Sequence, residues 1–375
     1  MPYQKSKAGV HDITHTRHFY TGFMSPAFVR PLILISAACA VLALPGCTPT
    51  AQTIFSPAPT STAPFSGELT PRPQNAPDVL LLAVSGRCPP NCQAPDDNID
   101  YLTPRGTVQA VVSALEAQGL SVVSYAVAAH LGQHTPRTIS QAQVGAGRSV
   151  AASQDGFLQL EARLNTAYTD WIRERSNPTR IVLLAHSHGV VWTHALVRAH
   201  PEVPIATMID LDGVCDFWET DNRRQVRAYV SQLGRNPWGF NLSDPCGSVR
   251  VGNMRYDLKD VVYPNVAVNL EVQSQRLVGR EGGSVITNFP FDGLQNVRSD
   301  GSRTGLLMFR SAGETHSSVS KPGSRAFTWV SAQLGSLSAS WKGQPLNAAP
   351  PVGVTCTSVG GSATLSAATN RPPTC

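Results

Sequence analysis

The sequence lacks any strong concentration of charge. Its 375 residues are 15% charged and carry a formal net charge of +5. Residues 1–46 hold four basic side chains and one acidic side chain, which accounts for +3 and leaves +2 for the remaining chain. A nucleic-acid-binding surface needs a basic stripe to neutralise phosphates. No such cluster occurs in the body of the sequence, so we expect no nucleic-acid partner.

Three other patterns are missing, and each absence argues against a class of protein or site. The apolar stretch Leu32–Leu44 is too short to span a bilayer comfortably. No glycine-rich phosphate loop occurs in the body of the chain. The spacing Cys88-x-x-x-Cys92 is not followed by a second cysteine or histidine pair at the distance of a zinc finger. We therefore expect neither a cofactor nor a metal.

The N-terminus instead has the features of a secretion signal. Arg30 precedes the apolar stretch, whose length suits the hydrophobic region of a signal peptide. The stretch ends Leu44-Pro45-Gly46-Cys47, which resembles the bacterial lipobox, where the cysteine is lipid-modified after cleavage. The alternative is a plain secretory peptide with an unmodified Cys47. We expect residues 1–46 to be a signal peptide, and we expect translation to start at Met24. We expect the mature protein to be lipid-anchored to a cell-envelope membrane, facing the periplasm or the exterior.

Composition divides the rest of the chain into three parts. Residues 47–77 are rich in Pro, Thr, Ser and Ala and contain too few aliphatic side chains to offset the entropy of ordering, which predicts a flexible tether. Residues 78–342 alternate apolar runs with amphipathic stretches and form one predicted domain. Residues 343–375 are a predicted low-complexity tail.

Within residues 78–342, the order strand, helix, strand, helix, strand predicts an α/β fold with a mostly parallel central sheet and helices on both faces. The predicted strands are Asp78–Val84, Ser121–Ala129, Ile181–Leu184, Pro204–Leu211, Asn265–Val272 and Gly305–Phe309. The predicted helices are Thr107–Gln118, Asp155–Arg175, one directly after Ser187, and Arg325–Leu334. The long stretch 214–262 after the strand that leads to Asp212 predicts a cap-like insertion with a helix near Arg224 to Leu233.

The segment Arg180–Val191 contains the most informative motif. The apolar run Ile181–Leu184 stops at Ala185-His186-Ser187-His188-Gly189, and apolar residues then recur at helical spacing. A serine at a tight strand-to-helix turn is typical of a nucleophile elbow, which needs small residues two before and two after the serine. Ala185 and Gly189 meet that need. The alternative is an ordinary turn in which Ser187 caps the helix.

This segment resembles the α/β-hydrolase superfamily, and Ala-His-Ser-x-Gly is similar to the variant found in some secreted bacterial lipases. The resemblance implies that Ser187 is the nucleophile. It implies one oxyanion donor on the residue after the nucleophile, His188, and another after an early strand, at Arg87 or Cys88. It also implies a catalytic histidine beyond the last strand, where this chain has His316.

The third member of the implied triad is open at this point. In most of the superfamily the acid follows the penultimate strand, where this chain offers Glu281, Asp292 and Asp300. Some lipases place it one strand earlier, where Asp212 lies at the carboxyl end of a strand. We favour Asp212, with Asp292 next. The alternative role for Asp212 is that of a turn residue before Gly213.

These features predict a serine hydrolase that cleaves carboxylic esters through an acyl-enzyme intermediate, with a small-molecule or lipid ester as substrate. One alternative is a catalytically silent protein of the same fold that acts as a binding module. Another is an amidase or thioesterase that uses the same triad. With Cys39 and Cys47 set aside, six cysteines remain. An even number suits an oxidising compartment, and sequence proximity favours three disulfides. These are Cys88–Cys92, Cys215–Cys246 and Cys356–Cys375.

Overall fold

The computed structural model describes residues 68–88, 93–132, 138–139, 150–151, 155–275 and 294–342. The central sheet of this part of the chain has six strands. They are β1 Val79–Val84, β2 Val122–Val127, β3 Arg180–His186, β4 Ile205–Leu211, β5 Val266–Ser274 and β6 Leu306–Ser311. The strands are hydrogen-bonded in the order β6-β5-β4-β3-β1-β2, and every adjacent pair is parallel. The predicted α/β class and parallel sheet are therefore confirmed.

Four α-helices of the described residues lie between these strands in the sequence, and a fifth follows the last strand. They are α1 Thr107–Glu116, α2 Phe157–Ala167, α3 His188–Ala199, α4 Trp218–Leu233 and α5 Arg325–Ser338. A π-helical turn, Tyr168–Ile172, continues α2, and a 3-10 turn spans Leu258–Asp260. Short strand pairs join Thr138–Ile139 to Val150–Ala151, Ser248–Val251 to Met254–Asp257, and Val261–Val262 to Val297–Arg298. No helix in the described part of the chain is both long and apolar enough to cross a membrane.

The two faces of the sheet carry separate hydrophobic cores, because successive side chains of a strand point to opposite faces. Leu80 and Leu82 of β1 belong to the core that includes residues of α2, α3 and α4. Leu81, between them, belongs to the core that includes residues of α1 and α5. Both faces of β1 are buried, which explains why its sequence is a continuous apolar run rather than an alternating one. The predicted helices on both faces are thus present.

The long stretch between β4 and β5 contains α4 and the hairpin formed by Ser248–Val251 and Met254–Asp257. The predicted disulfide Cys215–Cys246 closes this insertion into a loop that encloses α4. Helix α4 begins at Trp218, earlier than the sequence indicated. Trp218 is fully buried, and Glu219 and Asp221 in the first turn interact favourably with the helix dipole.

Residue 78 was the predicted start of the domain. Residues that precede it also form hydrogen bonds with the domain. Thr70 donates its N–H to the carbonyl of Glu174 over 3.2 Å and accepts a hydrogen bond from the N–H of Ser176 over 2.9 Å. Arg72 donates its N–H to Asn177 over 2.8 Å. The predicted signal peptide, the first part of the predicted tether and the predicted tail lie outside the described residues.

Candidate active site

Ser187 occupies the turn between β3 and α3 in a strained backbone conformation. Its φ is 59° and its ψ is −129°, and the residue is only 4% exposed. A non-glycine residue with positive φ costs about 1–3 kcal/mol and persists only where the surroundings enforce it. A Cβ added to Gly189 would lie 2.2 Å from the carbonyl oxygen of Val84, so the close approach of α3 to β1 requires glycine there. The turn therefore has the backbone of a nucleophile elbow.

His316 and Asp212 form a hydrogen bond beside this turn. His316 Nδ1 lies 2.7 Å from Asp212 Oδ2, and Asp212 is fully buried. Ser274 donates its N–H to Asp212 Oδ1 over 2.7 Å and its hydroxyl to Oδ2 over 2.6 Å. Because a carboxylate only accepts, Nδ1 of His316 carries a proton, so in the neutral ring Nε2 presents a lone pair. This is the tautomer that a general base needs.

The parallel register brings Ser187 and Asp212 together, since they directly follow the neighbouring strands β3 and β4. Ser187 donates its N–H to the carbonyl of Leu211 over 3.1 Å, and Asp212 donates its N–H to that of Val272 over 2.8 Å. The ring of His316 lies with its centroid 4.7 Å from that of His186, the residue before the serine. Among the described hydrogen bonds, none joins the hydroxyl of Ser187 to His316. Such bonds are often long in the absence of substrate.

The two predicted oxyanion positions differ in availability. The N–H of His188 is the first of helix α3 and has no intrahelical partner. The N–H of Cys88 donates to Asn98 Oδ1 over 2.9 Å, so it is already engaged. The N–H of Arg87 has no hydrogen bond within the described residues. Of the two alternatives after β1, the geometry thus favours Arg87 over Cys88.

The side chains of Arg87 and His188 contact the insertion. Arg87 Nε donates to Asp221 Oδ2 of α4 over 2.6 Å, and its guanidinium lies 5.3 Å from the ring centroid of Phe217. His188 Nε2 donates to the carbonyl of Asp216 over 2.6 Å. Burial lowers the pKa of His188 to about 4, so its side chain is neutral at pH 7. Both oxyanion candidates are therefore fixed to the insertion that follows β4.

Not every predicted site residue can be located. Cys47 and the alternative acids Glu281 and Asp292 lie outside the described residues. Asp300 lies in an exposed turn, where Oδ1 accepts the N–H of Ser302 over 2.8 Å. Cys88 is disulfide-bonded. Within the described part of the chain, no group of three or more His, Cys, Asp or Glu side chains is arranged to hold a metal ion.

Sequence reasoning missed Ser274 and Tyr101, which form hydrogen bonds with residues of the site. Ser274 contributes two hydrogen bonds to Asp212, as described above. The hydroxyl of Tyr101 contacts His186 Nδ1 at 2.5 Å and accepts the N–H of Gly86 over 2.8 Å. Ser274 had a detectable signal, because it ends a strand next to β4 at the carboxyl edge of the sheet. Tyr101 had none, since it lies in an irregular loop.

Comparison with known proteins gives only distant likenesses. No family model matches the chain, and no curated protein matches it. The crystal structure of the esterase domain from a Rhodothermus marinus protein is 14% identical, with 72% of this chain and 90% of that chain covered at a TM-score of 0.32. Est1E from Butyrivibrio proteoclasticus, solved with ferulic acid bound, is 12% identical, with 71% and 90% covered at a TM-score of 0.29. Both TM-scores are low, so any inference about activity rests on the geometry of the site.

Proposed function

We propose that this chain is a serine hydrolase that cleaves carboxylic esters, with Ser187 as nucleophile, His316 as general base and Asp212 as the orienting acid. The observation that supports this most is the hydrogen bond between the fully buried Asp212 and Nδ1 of His316, next to a serine held at positive φ. An orienting carboxylate, a histidine with an open Nε2 and a serine at an elbow are the parts of an acyl-transfer site.

The reaction follows from these positions. The hydroxyl oxygen of Ser187 bonds to the ester carbonyl carbon while its proton passes to Nε2 of His316. The negative charge on the former carbonyl oxygen is stabilised by the N–H groups of His188 and Arg87. The tetrahedral intermediate collapses, the C–O bond to the alcohol breaks, and Nε2 returns the proton to the leaving alkoxide. Water then repeats the sequence on the acyl-enzyme and releases the acid and free Ser187.

Labelling with a fluorophosphonate probe tests the nucleophile. We expect peptide mass spectrometry to find one adduct, on Ser187, and Ser187→Ala to abolish both labelling and the hydrolysis of p-nitrophenyl esters. A series of esters of increasing acyl length then defines the preferred substrate. Labelling at another serine, or ester hydrolysis that survives in Ser187→Ala, would contradict the proposal.

We also propose that the protein is exported and anchored by lipid on Cys47. Two acyl chains are enough for stable anchoring, whereas one is marginal. The disulfide Cys215–Cys246 is compatible with export, because disulfides persist in oxidising compartments. The wild-type chain should pellet with membranes and Cys47→Ala should not. Equal membrane fractions for the two would refute the anchor and leave the proposed activity unaffected.

A further inference from the structure

His186, the residue before the serine, contacts more of the site than the triad mechanism requires. It is only 3% exposed. Its Nε2 lies 2.7 Å from the backbone carbonyl oxygen of His316, and its Nδ1 lies 2.5 Å from the hydroxyl of Tyr101. Its ring also packs nearly perpendicular to the ring of Tyr101, with 5.7 Å between centroids. His186 therefore bridges the loop that carries His316 and the loop that carries Tyr101.

The direction of each hydrogen bond can be assigned. The carbonyl oxygen of His316 only accepts, so Nε2 of His186 carries a proton. Burial holds the pKa of His186 well below its usual value, and the charge of Arg105, and of His316 when that ring is protonated, acts in the same direction. The ring of His186 is therefore neutral, and its Nδ1 accepts from the hydroxyl of Tyr101. That hydroxyl oxygen in turn accepts the N–H of Gly86 over 2.8 Å.

The result is a continuous chain of donors from the loop after β1 to the loop after β6. It begins at Gly86, which precedes the oxyanion candidate Arg87, and it ends at the backbone of His316. The packing leaves little room for adjustment, because a Cβ on Gly86 would lie 2.6 Å from the hydroxyl oxygen of Tyr101 and 2.4 Å from Cβ of Ser187. The loop that carries Arg87 and the loop that carries His316 are thus connected through two buried side chains.

We propose that Tyr101 and His186 are positioning residues that hold the backbone of His316 and the loop at Gly86 in register with Ser187. This inference rests on the proposed function, since it assigns these residues a role in the same site. Asp212 orients the ring of His316, whereas His186 holds its main chain. A displacement of the reacting groups by about 1 Å can cost a hundredfold in rate. A neutral His186 also leaves His316 free to take up the proton of Ser187.

The substitution Tyr101→Phe in the full chain removes only the hydroxyl that links Gly86 to His186. Tyr263→Phe is a matched control, because Tyr263 is also buried at 6% and its hydroxyl has no hydrogen bond within the described residues. We expect Tyr101→Phe to lower kcat by about tenfold to a hundredfold with little change in KM, since chemistry and not ground-state binding is affected. Tyr263→Phe should change neither constant.

Proton NMR separates positioning from a general loss of stability. The Nδ1 proton of His316, hydrogen-bonded to Asp212, should shift in Tyr101→Phe and keep its wild-type position in Tyr263→Phe. His186→Gln keeps a donor for the carbonyl of His316, and His186→Leu does not, so Gln should retain several-fold more turnover per folded molecule. Circular dichroism confirms the folded fraction of each variant.

Two results would overturn the inference: wild-type kcat in Tyr101→Phe with an unshifted Nδ1 resonance, or equal turnover in His186→Gln and His186→Leu. These failures differ from failure of the proposed function. A wild-type chain that neither hydrolyses esters nor reacts with the fluorophosphonate would refute the hydrolase, while the Nδ1 resonance would still report whether Tyr101 positions His316.

Discussion

Two of the aspartate–histidine hydrogen bonds in the described part of the chain look alike in isolation. Asp210 and Asp212 are two residues apart, at 2% and 0% exposure. Asp210 Oδ2 lies 3.0 Å from His194 Nε2, and Asp212 Oδ2 lies 2.7 Å from His316 Nδ1. Each carboxylate also accepts hydrogen bonds from other side chains. An Asp–His hydrogen bond therefore does not by itself identify a catalytic pair.

The two pairs differ in what the second ring nitrogen contacts. His194 Nδ1 lies 3.0 Å from the carbonyl oxygen of Val261, so both of its nitrogens are occupied in the interior. Within the described residues, Nε2 of His316 has no hydrogen bond, and its side chain is 14% exposed. Asp210 is inside strand β4, whereas Asp212 follows the strand with a φ of 53°. The second ring nitrogen of the histidine at the edge of the sheet is therefore available to accept a proton, whereas that of the histidine in the interior is hydrogen-bonded.

The largest expected effect comes from removing the open histidine. We expect His316→Ala to lower turnover by about six powers of ten, as removal of a triad histidine does in subtilisin. The double variant His316→Ala with Asp212→Asn should be little worse, because residues that act as one unit are not additive. His194→Gln is the control, and its kcat per folded molecule should stay near wild type. If His194→Gln is inactive and His316→Ala is active, the assignment of the two pairs is reversed.

The two aspartates provide the next test. Asp212→Asn should lower turnover by about two to four powers of ten with circular dichroism unchanged, since the amide no longer holds His316 in the correct tautomer. Asp210→Asn should leave kcat per folded molecule nearly unchanged. Full activity in Asp212→Asn would move the acid elsewhere, and Asp292→Asn is then the variant to measure. The hydrolase proposal would survive that outcome.

For stability we expect the opposite ranking of the two aspartates, with a larger loss in Asp210→Asn than in Asp212→Asn. Asp210 Oδ2 accepts hydrogen bonds from Asn269 over 2.6 Å and Asn296 over 3.0 Å in addition to His194. Breaking a buried pair by removing one charge costs about 3–5 kcal/mol. We expect Asp210→Asn to lower the free energy of unfolding in urea by about that amount. A value within error of wild type would show that the interior pair contributes no net stability.

Local pattern was enough to predict the sheet and the serine at the turn, and the family resemblance supplied the other two triad candidates. The apolar runs of β1 and β3 are buried on both faces, so their composition alone indicates central strands. Ser187 was predicted because an elbow requires small residues at fixed spacing. Asp212 was favoured because it lies at the carboxyl end of the strand after which some lipases place the acid. Its hydrogen bond to His316 agrees with that preference, while its catalytic role stays a prediction.

The remaining features depend on contacts between distant parts of the chain. Tyr101 meets His186 across 85 positions of sequence, and no periodicity or motif connects them. Asn98 occupies the N–H of Cys88, which spacing cannot reveal. Helix α4 starts at Trp218 because that side chain is buried in the core formed with α2 and α3. These contacts and this helix start are determined by tertiary packing rather than by local propensity.

The last prediction concerns Glu271, a carboxyl group that is buried in the interior as Asp210 is. Burial raises its pKa to about 8 from an ordinary 4.5, and the carboxylates of Asp260 and Asp210 add to the rise. Between these two pH values the unfolded chain has released the proton and the folded chain retains it. The folded state therefore binds more protons, and its stability falls as pH rises from 4.5 through 8.

Glu271→Gln removes this difference in proton binding between the folded and unfolded states. Its amide cannot ionise, so the free energy of unfolding should decline less steeply than that of wild type across the same pH window, whatever the absolute stability of the variant. Urea titrations at several pH values on both proteins measure the two slopes. Asp300→Asn, in an exposed turn, is the control and should keep the wild-type slope in this window. If Glu271→Gln and wild type decline in parallel, Glu271 is ionised in the folded protein, and the hydrogen bonds from Gln273 at 2.6 Å and the N–H of Asn296 at 2.8 Å offset its burial.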